Sequence, residues 1–176
     1  TNSASALAKM SVKTKMLTKL GDDGEADFIV KEMRKYGVKN ICRSTSKKRT
    51  DTATLISSIK NRDRIIYVHK GASRDLRLDD CSKKDLRVRW IYLASLLGKS
   101  FITAKKLCGV AKRRKIKVLF NPSLYLAKKG KKYLKQVLDV TSILVLNKEE
   151  GEALLGRKGT FVNLIKDLHK LGPEMV

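Results

Sequence analysis

Apolar positions alternate between strand-like and helix-like spacing along the chain. Near the start, residues 2–10 have helical spacing and residues 12–20 are strand-like. Asp22 and Asp23 then supply an N-cap for a helix that ends at Gly37. The pattern predicts a strand, a turn and a helix in this part of the chain.

The middle of the chain has a different composition and apolar pattern. Residues 50–59 are rich in Thr, Ser and Ile, the turn Lys60-Asn61-Arg62-Asp63 comes next, and residues 64–69 are again strand-like. This arrangement predicts an antiparallel hairpin that forms a separate small sheet. We expect residues 42–72 to be a hairpin or lid-type insertion in one domain that spans residues 1–176.

Strands and helices alternate again from the hairpin to the end of the chain. The predicted strands are residues 88–94, 116–120 and 142–146, with 174–176 as the first residues of another, and the predicted helices are residues 100–114, 124–138, 148–155 and 160–171. Strands separated by helices imply parallel pairing with right-handed crossovers. The predicted fold class is α/β, a three-layer α/β/α sandwich with a mainly parallel sheet.

Composition narrows the class of protein. The chain has 176 residues, of which 42% are hydrophobic and 32% charged, so it is too apolar for a disordered tail and too polar for a membrane protein. No apolar run is long enough to span a membrane and the first residues lack a signal-peptide layout, which predicts a cytoplasmic protein without a membrane partner. Three scattered cysteines and two isolated histidines predict no metal centre of their own.

The charge is strongly positive. Forty Lys and Arg against 17 Asp and Glu leave +23, a charge that attracts nucleic acid, anionic lipid or phosphorylated ligands. The alternative is that it reflects a lysine-biased proteome or a missing acidic remainder of the protein. Few aromatic residues interleave with the basic ones, so nucleic acid is not the favoured partner. A polyanion-binding module would be favoured if basic residues from two segments clustered on one face. These residues are Lys105, Lys112, Arg113, Arg114 and Lys115 in the first segment and the basic residues from Lys128 to Lys135 in the second.

Ligands of open parallel sheets bind beyond the carboxyl ends of the strands. The positions just after the predicted strands are Gly21-Asp22, Ser95, Asn121-Pro122, and Asn147 with Glu150. Each has a structural alternative. Asp22 suits an N-cap and Asn121 suits a turn, while Asn147 and Glu150 have the spacing of a capping box. The last pair also suits phosphate and Mg²⁺ at a helix start.

Several segments together resemble the ribokinase-like, phosphofructokinase-B-type family of carbohydrate and nucleoside kinases. The opening Thr1-Asn2-Ser3 resembles the segment after the family's N-terminal glycine pair, and Leu20-Gly21-Asp22-Asp23 resembles its glycine-aspartate turn. Lys70-Gly71-Ala72 is similar to the end of its paired strands, Asn121-Pro122 to its Asn-Pro strand end, and Asn147-Lys148-Glu149-Glu150 to its Asn-x-x-Glu motif.

The resemblance implies an ATP-dependent kinase that phosphorylates a small sugar, sugar acid or nucleoside with Mg²⁺. Asn2 would contact a substrate hydroxyl, and Ser95 and Asn121 are the further substrate candidates. Asn147 and Glu150 would organise the ATP phosphates, with Glu150 holding water-bound Mg²⁺. The hairpin would contribute to a lid or its supporting sheet. A homodimer is a further expectation, and oligomerisation through the hairpin would suit the alternative of a catalytically dead subunit.

Some family features are not found in this sequence. The first strand and the glycine pair would precede Thr1, and the glycine-rich anion hole with the catalytic Asp would come after Val176. Ser95 stands where some ribose-specific members carry an acidic ligand. We therefore expect this stretch by itself to be inactive and to fold poorly. The alternatives are a basic polyanion-binding or nucleic-acid-binding module and a catalytically dead kinase-like subunit.

Overall fold

The computed structural model describes residues 2–42, 44–60 and 63–176, in which the chain divides into two units, Thr1–Asp85 and Leu86–Val176. Part of the predicted turn, Asn61 and Arg62, lies outside the described residues, as does Thr1. The hairpin belongs to the first unit. A single domain with an insertion at residues 42–72 stays a prediction.

The N-terminal unit begins with helices and two very short strands. They are α1 (Asn2–Lys9), β1 (Lys15–Met16), α2 (Gly24–Lys35) and β2 (Lys39–Asn40), and β1 and β2 pair in parallel. The predicted strand at residues 12–20 is therefore much shorter than expected. The side chain of Asn40 accepts a hydrogen bond from the Thr18 N–H at 3.3 Å and donates one to the Thr18 carbonyl at 3.1 Å. Because this side chain takes over the backbone pairing, the regular ladder stops.

Asp23, the second of the two predicted capping residues, begins α2. Its carboxylate accepts a hydrogen bond from the Ala26 N–H at 2.9 Å, and it also accepts bonds from the backbone and hydroxyl of Thr50, both at 2.7 Å. The Thr50 N–H and then the Thr50 hydroxyl hold the pKa of Asp23 below its ordinary value. One carboxylate thus caps a helix and anchors the residue that leads into the hairpin.

The predicted hairpin is confirmed as β3 (Thr52–Ser58) paired antiparallel with β4 (Asp63–His69). Asp51 anchors its base, because its carboxylate accepts hydrogen bonds from the N–H groups of Gly71 and Ser73, each at 3.0 Å. Partial burial acts to raise the pKa of Asp51, and hydrogen bonds led by the Ser73 hydroxyl overcome it, so the pKa lies below its ordinary value. Glycine is required at position 71, where a Cβ would lie 2.1 Å from the Arg49 carbonyl oxygen.

A buried ion pair ties distant parts of the N-terminal unit together. Lys19 Nζ lies 2.7 Å from Asp80 Oδ1, and both side chains are less than a tenth exposed. Ser44 accepts a hydrogen bond from Lys19 and donates one to Asp80 at 2.6 Å, while the Arg77 N–H donates to the other Asp80 oxygen at 2.8 Å. Burial acts to raise the pKa of Asp80, and the bonds from Lys19 and Ser44 reverse this effect, so the pKa is lowered.

The C-terminal unit is built on a parallel sheet, as the sequence predicted, and its strand order is β5-β6-β7. Met175 forms a further parallel bridge with Ile143, where the last predicted strand was expected to begin. The strands are β5 (Trp90–Leu93), β6 (Lys117–Phe120) and β7 (Ile143–Leu144), and the helices are α3 (Lys99–Arg114), α4 (Leu124–Ala127), α5 (Gly130–Leu138), α6 (Lys148–Leu155) and α7 (Phe161–His169).

The alternation of side chains along the strands determines which face of this sheet is buried. Leu93, Val118 and Phe120 are buried in the main hydrophobic core with residues of all five helices, whereas Trp90 and Tyr92 are about half exposed. Period-two alternation therefore gives one face to the helices. No helix in the described part of the chain is long and apolar enough to cross a membrane.

The prediction of one continuous helix after β6 is wrong. Residues 124–138 form α4 and α5 rather than one helix. Gly130, with φ +78°, has a left-handed backbone that interrupts the helical path, and it begins the second helix. The break redirects the chain before the strongly amphipathic segment that buries Leu134, Val137 and Leu138.

We predict that Lys19→Met destabilises the N-terminal unit by about 3–5 kcal/mol, because Asp80 is then a buried charge without its partner. The double variant Lys19→Met/Asp80→Leu is expected to recover most of that loss, as measured by urea denaturation with circular dichroism as the probe. Equal stabilities of the single and double variants would contradict this interpretation. The contribution of Asp80 is complete above its unfolded pKa of about 3.9 and is lost as the pH falls through the lower folded value.

Candidate functional site

The carboxyl ends of β5, β6 and β7 lie at one edge of the C-terminal sheet because the three strands are parallel. Three of the residues predicted from the sequence lie just beyond these ends. Ser95 comes after β5, Asn121 directly after β6, and Asn147 after β7 at the start of α6. The topology therefore gathers these side chains at the edge where open α/β sheets bind ligands.

Asn121 connects the ends of all three strands. Its amide nitrogen donates a hydrogen bond to the Val145 carbonyl at 2.7 Å, and its amide oxygen accepts one from the Tyr92 hydroxyl at 3.3 Å. Its own N–H donates to the Leu93 carbonyl at 3.0 Å. The interpretation of Asn121 as a turn residue alone is therefore incomplete. Its side chain also links the neighbouring strands by hydrogen bonds, and the residue is half-buried.

Ser95 and Ser123 join the loops after β5 and β6. The Ser95 hydroxyl accepts a hydrogen bond from the Ser123 N–H. Ser123 is the N-cap residue of α4, and both serines are half-buried. A hydroxyl can donate and accept at once. Ser95 therefore has donor capacity left for a ligand while it holds the start of α4 in place.

Asn147 and Glu150 form a reciprocal capping box at the start of α6. The Glu150 N–H donates to Asn147 Oδ1 and the Asn147 N–H donates to Glu150 Oε2, both at 2.9 Å. Asn147 and Glu150 therefore do form the capping box that their spacing allowed. It leaves Glu150 Oε1 without a hydrogen-bond donor from the described residues.

The carboxylate of Glu150 suits Mg²⁺ that keeps its own water shell, rather than a metal enclosed by several protein ligands. Among the described residues no group of three or more His, Cys, Asp or Glu side chains could enclose a metal ion. Mg²⁺ commonly keeps several waters and uses one or two carboxylates together with substrate phosphates. Glu150 fits such a hydrated Mg²⁺ site, because its carboxylate can accept hydrogen bonds from metal-bound water.

A largely apolar cleft of about 390 Å³ opens beside this helix start. Its lining includes Asn147 and Lys148, Phe161 and Ile165 of α7, residues of β7, and Met175 and Val176. Lys148 Nζ lies 5.7 Å from the centre of the Phe161 ring. The cleft thus combines an apolar wall with a cation and a helix N-terminus.

The remaining predicted residues lie in the N-terminal unit. Asn2 is the first residue of α1 and its side chain is exposed. The turn at Gly21 and Asp22 borders a cleft of about 540 Å³ that Asp27, Arg34 and Lys39 also line. The Gly21 N–H donates to the Thr50 hydroxyl at 2.9 Å. The contact of Asn2 with a substrate hydroxyl stays a prediction.

The model of the pfkB family of carbohydrate kinases matches residues 1–176. The chain belongs to this family. A curated relative, ribokinase from Staphylococcus aureus (strain COL), is 26% identical over 168 residues, which are 94% of this chain and 53% of that protein. The chain thus spans about half the length of the curated relative that it matches.

Solved structures of kinases share the fold. Adenosine kinase from Sinorhizobium meliloti matches with a TM-score of 0.83 and 13% identity, over 97% of this chain and 54% of that chain. The 2-dehydro-3-deoxygluconokinase from Thermotoga maritima matches with a TM-score of 0.82 and 20% identity, over 96% of this chain and 58% of that chain. These similarities confirm the predicted ribokinase-like α/β fold.

The sequence prediction missed Tyr92 and Ser123 at this edge of the pfkB domain. Tyr92 lies within β5 and looked like an ordinary strand residue, and Ser123 comes after a proline in a segment with the pattern of a turn. The signal that could have found Tyr92 is the register. Tyr92 is paired with Leu119, two residues before Asn121, so a long side chain with a terminal hydroxyl can reach along the strand.

We predict that Asn147→Ala destabilises the C-terminal unit by about 0.5–2 kcal/mol, because α6 loses its N-cap acceptor. Asn147→Asp keeps an acceptor at the same place and is expected to retain the stability of the wild type. Trp90, the chain's one tryptophan, lies in β5, so its fluorescence during denaturation reports on this unit. Equal stability of all three proteins would mean that the capping box is dispensable.

Proposed function

We propose that the protein transfers the terminal phosphoryl group of ATP to a hydroxyl of a small sugar, sugar acid or nucleoside. The observation that carries the proposal is the joint presence, at one sheet edge, of neutral hydroxyl and amide groups and a helix start where the Glu150 carboxylate is held in place by the capping box. Membership of the pfkB family supplies the reaction class. Ribokinase, adenosine kinase and 2-dehydro-3-deoxygluconokinase relatives are consistent with each of the three substrate classes.

In this proposal the substrate is held by groups that can bind sugar hydroxyls. Ser95 and Asn121 are the substrate-binding candidates at the sheet edge, and Asn2 is a further candidate that the sequence predicted. Ser95 is neutral where some ribose-specific relatives have an acidic ligand, so we do not assign ribose. Phosphoryl transfer depends chiefly on positioning and charge neutralisation, and it also needs a base for the hydroxyl proton. We assign that base to no residue of this chain.

The ATP phosphates would lie at the start of α6. The unpaired N–H groups of a helix N-terminus attract anions, and Lys148 adds a cation beside them. Glu150 would accept hydrogen bonds from the water shell of Mg²⁺, and the ion, when bound, neutralises phosphate charge during transfer. Asn147 would keep Glu150 in position through the capping box, so the structural and functional interpretations of this pair are compatible.

The test is ATP consumption by the full-length protein with Mg²⁺ and a panel of sugars, sugar acids and nucleosides. We expect turnover with at least one acceptor, and a loss of about 10–100-fold in Glu150→Gln, which keeps a capping oxygen but removes the charge. Glu149→Gln is the matched control, because Glu149 is exposed and adjacent. If none of the acceptors in the panel is phosphorylated, the proposed reaction is wrong. Equal losses of activity in Glu150→Gln and Glu149→Gln would mean that Glu150 has no specific role in the reaction.

We further propose that a homodimer forms through the hairpin. One face of β3 and β4 carries Leu55, Ile66 and Val68, the other carries Ile56, Ile65 and Tyr67, and each of these side chains is about half exposed or more. A two-stranded hairpin is marginally stable alone, and apolar side chains on both of its faces favour burial. A second copy of the hairpin offers a self-complementary apolar surface with two-fold symmetry.

Sedimentation velocity of the protein tests this arrangement. We expect a dimer that dissociates on Ile66→Asp or on Ile65→Asp, since these neighbours point to opposite faces and only one face meets the second copy. The variant on the face that stays outside the contact is the matched control. A wild-type monomer at micromolar concentration, or two variants that both remain dimeric, would refute the hairpin interface.

A further inference from the structure

The helical layer of the C-terminal unit is unusually one-sided in charge. No Asp or Glu occurs between Asp85 and Asp139, although this stretch contains α3, α4 and α5. Seven exposed or half-buried basic residues of the two longer helices form a surface that we call the basic face. Its members are Lys99, Lys105, Lys106, Lys112 and Arg113 around α3 and Lys129 and Lys132 around the start of α5.

Two adjacent helices carry this face. Phe101 of α3 stacks on Tyr133 of α5, with ring centres 4.6 Å apart and planes 12° apart. Lys105 Nζ lies 5.4 Å from the centre of the Tyr133 ring, at the seam between the helices. From Lys99 to Arg113 the face extends about 21 Å along α3, at about 1.5 Å per residue. The basic residues of the two helices thus lie on neighbouring elements that are in direct contact.

Not all of the basic residues expected to cluster belong to this face. Arg114 turns away and donates a hydrogen bond to the Leu86 carbonyl at 3.4 Å, and Lys115 has a left-handed backbone that ends α3. Lys135 pairs with Asp139 at 2.8 Å. None of the seven members of the basic face forms an ion pair with another described residue.

Helix stability accounts for only part of these charges. Lys112 and Arg113 lie in the last turn of α3, where the helix dipole favours cations, but the basic residues at the helix starts have no such explanation. Lys99 occupies the first turn of α3, and Lys129 and Lys132 flank the first residues of α5, where the positive end of the helix dipole disfavours cations. Neither helix has an acidic residue in its first turn to offset this effect. The basic residues at the two helix starts are therefore slightly destabilising, and a bound polyanion would relieve the repulsion among them.

We propose that the basic face binds single-stranded nucleic acid. Its lysines and arginine would contact phosphates, while Tyr133, which is 41% exposed, and Tyr125, which is 57% exposed, would provide stacking surfaces for bases. Lys129 Nζ lies 5.1 Å from the centre of the Tyr125 ring and Lys105 Nζ lies 5.4 Å from that of Tyr133, so each of these tyrosines has a cation beside it, although the sequence has few aromatic residues among its basic ones. A membrane surface is less suited, because Ile102 is the one large aliphatic side chain of α3 that is exposed.

This inference is independent of the proposed phosphoryl transfer. The members of the basic face lie on the outer surfaces of α3 and α5, and none of them is a candidate for the substrate or the ATP phosphates. Failure of the kinase assay would leave the nucleic-acid proposal intact, and the converse also holds.

The experiment is fluorescence anisotropy of a labelled oligothymidylate of about 20 nucleotides with the full-length protein over a series of NaCl concentrations. We expect binding that weakens with salt, and an affinity about a hundredfold lower at about 0.1 M salt for the variant Lys106→Gln/Lys112→Gln/Lys132→Gln. The slope of log affinity against log salt should decrease by about 2, because three phosphate contacts are lost. Tyr133→Leu should weaken binding without changing that slope.

The matched control is Lys13→Gln/Lys158→Gln/Lys166→Gln, which removes the same charge from exposed residues outside the basic face. It is expected to retain most of the wild-type affinity. Equal losses in the two triple variants would reduce the effect to net charge and overturn the proposal. Equal binding of a duplex of the same length, or binding of phosphatidylserine vesicles but not of the oligonucleotide, would also overturn it.

Discussion

Parallel pairing of β5, β6 and β7 is the constraint on which the candidate site depends. Parallel strands need a crossover between each pair, and here the crossovers are helices that bury one face of the sheet through residues such as Phe101 and Leu134. The same pairing brings the carboxyl ends of the strands to one edge. Asn121 then fixes the relative positions of those ends by hydrogen bonds to Tyr92 and Val145.

The order of elements in the C-terminal unit was predictable because its helices and strands have clear apolar periods. The sequence could not predict β2, because two polar residues carry no period and the Asn40 side chain replaces part of the ladder. The break between α4 and α5 depends on one backbone angle at Gly130. In the C-terminal unit the local pattern thus predicts the elements that burial holds in place, and elsewhere it fails where single hydrogen bonds or dihedral angles decide. The hairpin was predicted although both of its strands are exposed, because its composition and turn are distinctive.

The candidate site shows the same division. Positions after the strands were predictable from topology, and the spacing of Asn147 and Glu150 allowed both a capping box and a phosphate site. The structure forms the capping box, and this leaves one oxygen of Glu150 available. Tyr92 could not be recognised before the strand register was known, because its role depends on reaching a residue of the neighbouring strand.

Acidic residues are distributed according to structural need. In the N-terminal unit, Asp23, Asp51 and Asp80 each anchor irregular backbone or a buried lysine, and the pKa of each is lowered by hydrogen bonds. The helices α3 to α5 have no acidic residue at all. The net charge of +23 is therefore concentrated where no carboxylate is needed for folding, and it gives the basic face its sign.

The central claim is that the carboxyl edge of the β5-β6-β7 sheet holds the nucleotide and its acceptor. The most direct measurement is a crystal structure of the full-length protein with Mg²⁺ and a non-hydrolysable ATP analogue. We expect phosphates at the start of α6, with a metal-bound water within hydrogen-bond distance of Glu150. Phosphates bound away from this helix start, with Glu150 engaged only in its capping box, would contradict the claim.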